Sequence, residues 1–546
     1  MPGGLPGMSD TCNNRPAMAR ASEPAQTAGR PGLSWDKELD EVARRRELAY
    51  RMGGPEKIER QHANGKLTVR ERIDRLLDAG SFREVGTIAG GARYEGTELV
   101  EFVPANQVAG HGTIDSRPVA IVGDDFTVRG GAADASVYEK LLYPERLAHD
   151  LRMPIVRLVD GTGGGGSVRT LENKGFTYVP ALPGWHVLDA NLTRVPVIGL
   201  ALGSVAGLGA ARVAASHYSL MVRETAQIFA AGPPVVAYAG QQVTKEELGG
   251  SQLHARNGTV DDEVDSEDAA FARTRRFLSY LPRSVYELPA RVSCSDDPQR
   301  REEILLSIVP HDERKVYEMR PIVEAIVDRG SFFEIGRLWG RSVICGLARF
   351  GGVACAVLAS DPYHYGGAWT RTSSEKLARL VDLADTFHLA IVHLVDVPGF
   401  QIGVDAERAA TIRAGVRAMS AIERSTVPWC TILVRKCFGV AGAANRPAGR
   451  LSMRYAWPSG SWGSLPIAGG LEAAYRADLE AAADPQALRT QIEARLRAVT
   501  SPLRSAEKFS VEEIIDPRDT RRLLCEFAQL SLHALTPGPS AQPYRP

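Results

Sequence analysis

Cysteine is scarce in this chain: seven residues in 546, at Cys12, Cys294, Cys345, Cys355, Cys430, Cys437 and Cys525. The number is odd, the spacing is irregular, and no two stand as C-x-x-C. That excludes a zinc ribbon and points to reduced thiols in a cytoplasmic protein. None of the eleven histidines has ligand-like spacing. His111, His217, His364 and His393 fall near sheet-forming runs or turns and read as structural, so no bound metal is expected. Net charge is also missing, with 65 basic and 65 acidic residues. Such a balance argues against nucleic acid or an anionic membrane as partner. Residues 1–33 hold no apolar signal core; Pro, Gly, Ala and polar residues there predict a disordered tail. Long apolar runs are nearly absent. The exception, VPVIGLALGSVAGLGAARVAA (195–215), carries Pro196, Arg212 and four glycines. It reads as a buried strand, a turn and a buried helix, not a membrane span.

At this length, two large domains are expected. Residues 35–78 have helical patterning, with Thr68 and Glu71 spaced as a capping box. The chain then repeats itself. LLDAGSFREVG (76–86) echoes IVDRGSFFEIG (326–336), 250 residues later. Gly110 matches Gly346, Glu139-Lys140 matches Glu375-Lys376, and PIVRLVD ending at Asp160 matches AIVHLVD ending at Asp396, all 236 residues apart. Val195-Pro196 then matches Val427-Pro428 and Gly207 matches Gly439, 232 residues apart. Ordered matches at constant spacing indicate an internal duplication. Each copy alternates β-branched strands with helical segments, so the fold class is α/β, two tandem related units. The Pro-, Ser- and charge-rich stretch 285–315 is the expected linker. The recurring Glu-Lys pairs read as helix-surface or interdomain pairs.

Each copy also places a Gly-rich turn between a buried strand and a helix: GSVAGLGAARVAA in the first, KCFGVAGAAN in the second. Glycine lets a ligand approach the backbone closely. The amides of Leu208 and Gly209, and of Val440 and Ala441, fall at helix N-termini, where unpaired donors favour negative charge. An amide pair aimed at a carbonyl oxygen stabilises an enolate or a similar oxyanion. Close strand–helix packing is the alternative reason for such glycines.

These motifs carry a resemblance. GKLTVRERIDRLLDAGSF, DFTVRGG, QIFAAGPPVV, VTKEELGG, SYLP, LVDVPGFQIG, TVPWCTILVRK and YAWP are similar to segments of the carboxyltransferase (β) subunits of biotin-dependent acyl-CoA carboxylases, over roughly residues 35–530. The resemblance implies two crotonase-like domains: a coenzyme A-binding one at 34–290 and a biotin-facing one at 291–535, with a loose tail at 536–546. It implies a homohexamer, a trimer of dimers, with active sites between protomers. It also implies biotin on a separate carrier protein, biotin carboxylase as a further separate chain, and acyl-CoA as substrate. In the implied reaction carboxybiotin releases its carboxyl group, its nitrogen removes the α-proton of the acyl-CoA, and the enolate attacks CO2. By position, Leu208 and Gly209 would serve biotin, and Val440 and Ala441 the thioester. Gly207, Gly439, Gly163, Gly164 and Arg129 are the implied cofactor contacts, Arg129 through the phosphates of coenzyme A.

The sequence departs from the family in places. Where relatives have D-S-G-G-A-R, it reads DGTGGGGSVRTLE (160–172), leaving Arg169 as the nearest arginine. Its first turn is Gly207-Leu208-Gly209 in place of G-G-A. Gly442 and Ala443 stand at the implied acyl pocket, where a small Ala443 would widen it. Two other readings follow from the drifted biotin side: a biotin-independent decarboxylase of malonyl- or methylmalonyl-thioesters, and a catalytically silent paralogue in a mixed oligomer.

Overall fold

The computed structural model describes residues 34–546 apart from 133–135, 162–170, 173–174, 178, 180, 183, 451 and 543. The tail 1–33 and the glycine run with Gly163, Gly164 and Arg169 lie outside the described residues. The chain divides into an N-terminal unit ending at Glu47 and a large unit, Leu48–Pro546. Most of the polar helix Asp36–Tyr50 belongs to the first.

The large unit is built on two related sheets. One has seven strands, in the order Arg83–Glu84, Gln107–Ile114, Arg117–Asp124, Ile155–Val159, Val197–Ala201, Tyr218–Val222 and Asp262–Val264. The other runs Phe333–Ile335, Val343–Phe350, Val353–Ser360, Ala390–Val397, Trp429–Phe438, Met453–Ala456 and Glu513–Ile514, with Ser461–Gly463 added beside Trp429–Phe438. Both begin with antiparallel pairs and continue in parallel. The duplication read from the sequence holds at single residues. Glu84 pairs with Gly110 and Glu334 with Gly346. A side chain at Gly110 would lie 2.1 Å from the carbonyl oxygen of Arg83, and one at Gly346 2.6 Å from that of Phe333. Both glycines are kept because a neighbouring backbone occupies the space.

The run 195–215 folds as the fully buried strand Val197–Ala201, a turn, and the helix Leu208–Ala214. Gly199 allows this tight return: a Cβ there would stand 2.6 Å from the oxygen of Val213. Among the described residues no helix is long and apolar enough to cross a membrane. Thr68 caps the helix Val69–Leu76, and its capping box with Glu71 forms as expected.

One core runs through both halves. Phe333 from the second packs against Tyr218, Phe277 and Tyr280 from the first. The segment expected as a linker is pinned, because the buried Arg521 donates to the carbonyls of Asp296 and Asp297. The recurring lysines are not surface residues. Lys140 is buried 3.6 Å from Glu84, and Lys376 donates to the carbonyls of Trp339 and Val343. Helical periodicity marks which face is apolar, not whether a long polar stem passes through it.

The tail at 536–546 is docked, not loose. Gly538 donates to the carbonyl of Val285, and Ser540 bonds Asp385. Tyr544 is buried against His217, ring centroids 4.3 Å apart, beneath the guanidinium of Arg379. A single aromatic side chain anchors this Pro-rich segment. Tyr544→Ala is expected to cost about 3 kcal/mol, as for other buried aromatics, read as a lowered urea midpoint.

His217 and His393 are structural. The His217 Nδ1 accepts from the amide of Val197, so Nε2 carries the proton given to the carbonyl of Leu192. Burial pushes this imidazole down to about 3, and that of His393 to about 4. The unfolded chain takes up these protons below its ordinary value of 6.5, and the folded chain does not. Stability therefore falls as pH drops from that value, by about 1.4 kcal/mol per pH unit for each histidine, down to about 4 for His393 and about 3 for His217. His217→Gln is expected to flatten the acid limb by that slope, measured as urea midpoints between about pH 6.5 and 4.

Candidate active site

Both Gly-rich turns form as the sequence implies. In the first, Gly207 has φ 59° and ψ −121°, a conformation open only to glycine, and Leu208 begins the helix. A Cβ on Gly207 would meet nothing within 4 Å, so its backbone torsion and not crowding demands glycine. Gly209 is closer-set, since a Cβ would touch Val205 at 3.0 Å. In the second turn Gly439 has φ 64° and opens the helix Gly439–Ala443. The amides of Leu208, Gly209, Val440 and Ala441 sit in first helical turns, where the helix supplies no acceptor for them. Leu208 and Val440 are both exposed, at equivalent positions of the two copies.

Each turn stands beside a buried aspartate that ends the matched strand. Asp160 receives Lys66 and Arg72, both at 2.9 Å, and Gln61 at 3.2 Å. Burial pulls the Lys66 ammonium down, against the attraction of Asp160. Asp396 receives Arg435 at 3.0 Å, Tyr317 at 2.9 Å and the amide of Lys436 at 3.0 Å; burial pushes its carboxyl up. The loops DFTVRGG and DPYHYGG lie against these strand ends alike. A Cβ on Gly131 would be 2.7 Å from the carbonyl oxygen of Asp160, and one on Gly367 2.2 Å from that of Asp396. Arg129 and Tyr365 take the same left-handed conformation, φ 52°, in the two loops. Arg129 is exposed at this bend.

A cavity opens at each turn, and the two differ. The first, about 290 Å³, is lined by Leu208 and Gly209 together with Leu142, Leu182, Trp185 and Leu188. Asp124 and Arg212 also face it. The second, about 450 Å³, is lined by Gly439, Val440, Ala443, Arg454, Trp462 and Ser464. Gly442 lines it too, but is glycine for packing: a Cβ would stand 2.7 Å from the carbonyl carbon of Cys437. A larger cavity of about 630 Å³, bordered by Arg379, Asp382 and Arg545, includes neither turn. Sequence reasoning missed Asp124, and saw Arg212 only as a charge interrupting an apolar run.

Residues 60–541 match the carboxyl transferase domain family. The chain belongs to that family. It is 33% identical over 510 residues to the carboxyltransferase subunit of propionyl-CoA carboxylase from Haloferax mediterranei, covering 91% of this chain and 97% of that one. It is 31% identical over 478 residues to the α subunit of methylmalonyl-CoA decarboxylase from Veillonella parvula, covering 86% and 91%. The crystal structure of transcarboxylase 12S, a hexamer with methylmalonyl-coenzyme A and methylmalonic acid bound, superposes with a TM-score of 0.82 at 29% identity, over 93% of this chain and 98% of that one. The α/β duplication and the family resemblance read from the sequence are thus borne out.

Proposed function

We propose that this chain is the carboxyltransferase subunit of an acyl-CoA carboxylase, moving a carboxyl group from carboxybiotin on a separate carrier to the α-carbon of an acyl-CoA. Family membership over nearly the whole chain supports the reaction class. The observation that carries the mechanism is the pair of equivalent turns, each opening a helix beside its own cavity: Leu208 and Gly209 line the first, Gly439 and Val440 the second. Carboxyl transfer develops negative charge on two oxygens, one on the thioester and one on the biotin ureido group, so two donor pairs are needed.

The cavities favour one assignment. Leucines and a tryptophan beside Leu208 and Gly209 suit an acyl chain, so that pair takes the thioester oxygen. The wider cavity at the second turn, with exposed Val440 and Ala443 on its rim, fits a flat ureido ring brought in on a tethered arm. Carboxybiotin supplies the carboxyl group and, once it has given it up, a nitrogen base. The chain's own part is to hold both oxygens through backbone donors and to shield the enolate from water. This assignment reverses the order expected from position. It agrees with 34–290 as the coenzyme A-binding half and 291–535 as the biotin-facing half. A small Ala443 then leaves the second cavity roomy. Arg129, at its exposed bend, would meet the phosphates of coenzyme A.

The hexameric transcarboxylase supports a hexamer here; the family resemblance then implies an active site between the first domain of one protomer and the second domain of its partner. The Veillonella relative supports a second direction, loss of CO2 from a malonyl-type thioester through the same enolate. Purified chain would be mixed with a biotin carboxylase, its biotinylated carrier, ATP, labelled bicarbonate and a panel of acyl-CoAs. Fixation abolished by avidin is the expected result. No fixation, with avidin-insensitive CO2 release from malonyl-CoA, would favour the decarboxylase instead.

A further inference from the structure

The first cavity holds a buried guanidinium that is short of acceptors. Arg212 is 7% exposed, yet makes one long ion pair, Nη1 to Oδ1 of Asp124 at 3.5 Å. Its Nε and Nη2 donate to none of the described residues. Other buried arginines are nearly saturated: Arg72 and Arg157 donate four hydrogen bonds each. With no protein acceptor among the described residues, these donors open onto the cavity, where a ligand can accept from them.

The duplication shows that this is not a requirement of the fold. At the offsets established above, the second copy has Ala444 in place of Arg212 and Ser360 in place of Asp124. The backbone role survives the change: Asp124 accepts from the amide of Asp160 at 3.2 Å, and Ser360 Oγ accepts from that of Asp396 at 3.0 Å. What only the first copy has is the charged pair, both members of it.

Its placement indicates the ligand. Arg212 lies one helical turn beyond Leu208, and helical side chains lean back towards the N-terminus. The guanidinium thus returns to the cavity that the Leu208 and Gly209 amides line. Resting on the reading of that cavity as the thioester site, we propose that Arg212, held by Asp124, binds the carboxylate on the α-carbon of the carboxylated thioester, the product of transfer. Amides for the thioester oxygen and a guanidinium for the adjoining carboxylate make a site for a malonyl-type group. Arginine suits it because its planar donors match a carboxylate's two oxygens.

The test is calorimetric titration of the full-length protein with malonyl-CoA and with acetyl-CoA, no biotin carrier being present. Wild type is expected to bind malonyl-CoA at least about tenfold tighter, as one charge-assisted pair would give. Arg212→Gln alone leaves Asp124 buried without its partner and risks misfolding, so the variant is R212Q with D124N, which keeps the net charge and an acceptor for the Asp160 amide. It is expected to bind acetyl-CoA as wild type does and to lose the preference for malonyl-CoA. Equal affinities in wild type, or a preference that survives in the double variant, would overturn the inference while leaving the thioester site intact. Binding of neither thioester would overturn the acyl-CoA reading itself, and the inference with it.

Discussion

Gly207→Ala is expected to lower the carboxyl transfer rate by on the order of a hundredfold, with the protein still folded. The wild-type residue sits at φ 59° and ψ −121°, where an L side chain is strained by about 1–3 kcal/mol. The added methyl meets no atom within 4 Å, so no collision forces the protein to unfold. The strain is relieved by turning the peptide plane, and that plane carries the amide of Leu208. Loss of one oxyanion donor costs about 3 kcal/mol of transition-state stabilisation, which is roughly a hundredfold in rate. The effect belongs in kcat, with the KM for acyl-CoA changed little, because the donor acts most strongly on the developing charge. A similar loss is expected for Gly439→Ala, through the second pair. Steady-state kinetics beside a thermal melt separates this outcome from simple unfolding.

Asp160→Ala is expected to have the largest effect on stability. The carboxylate is fully buried and receives both Lys66 and Arg72. Arg72 keeps Glu267 at 2.7 Å, while Lys66 has no other carboxylate within salt-bridge distance among the described residues. Removing one member of such a cluster costs about 3–5 kcal/mol, because the surviving charge stays out of water. A fall of roughly 3–5 °C in melting temperature follows at a fixed scan rate for a unit of this size. Asp160→Asn is expected to cost less, since it still accepts from the two cations. The cluster also joins the N-terminal capped helix, through Arg72, to the strand end beside the first turn. Activity is therefore expected to fall before the protein melts.

The parts of the fold that rest on repetition were legible in the sequence. Equal spacing between Gly110 and Gly346, and between Asp160 and Asp396, reflects two sheets that need the same backbone contacts at the same positions. The turns were legible because backbone donors leave glycine as their signature. Other features had no local signature. Arg212 and Asp124 are 88 residues apart and meet only because sheet order brings the end of one strand beside the helix after another. Comparing the two copies would have exposed them, since both members change together. Tyr544 gave no signal because one aromatic residue in a Pro-rich tail has no periodicity. Lys140 and Lys376 misled because their positions fit a surface stripe, although their ammonium groups are buried.

The placement of the thioester oxygen tests the central claim most directly. A structure of the assembled protein with a non-hydrolysable acyl-CoA analogue would show it. The expected result is the carbonyl oxygen about 2.7–3.1 Å from the amide nitrogens of Leu208 and Gly209, with the acyl chain among Leu142, Trp185 and Leu188. The carbonyl bound at Val440 and Ala441 instead, with the first cavity empty, would contradict it.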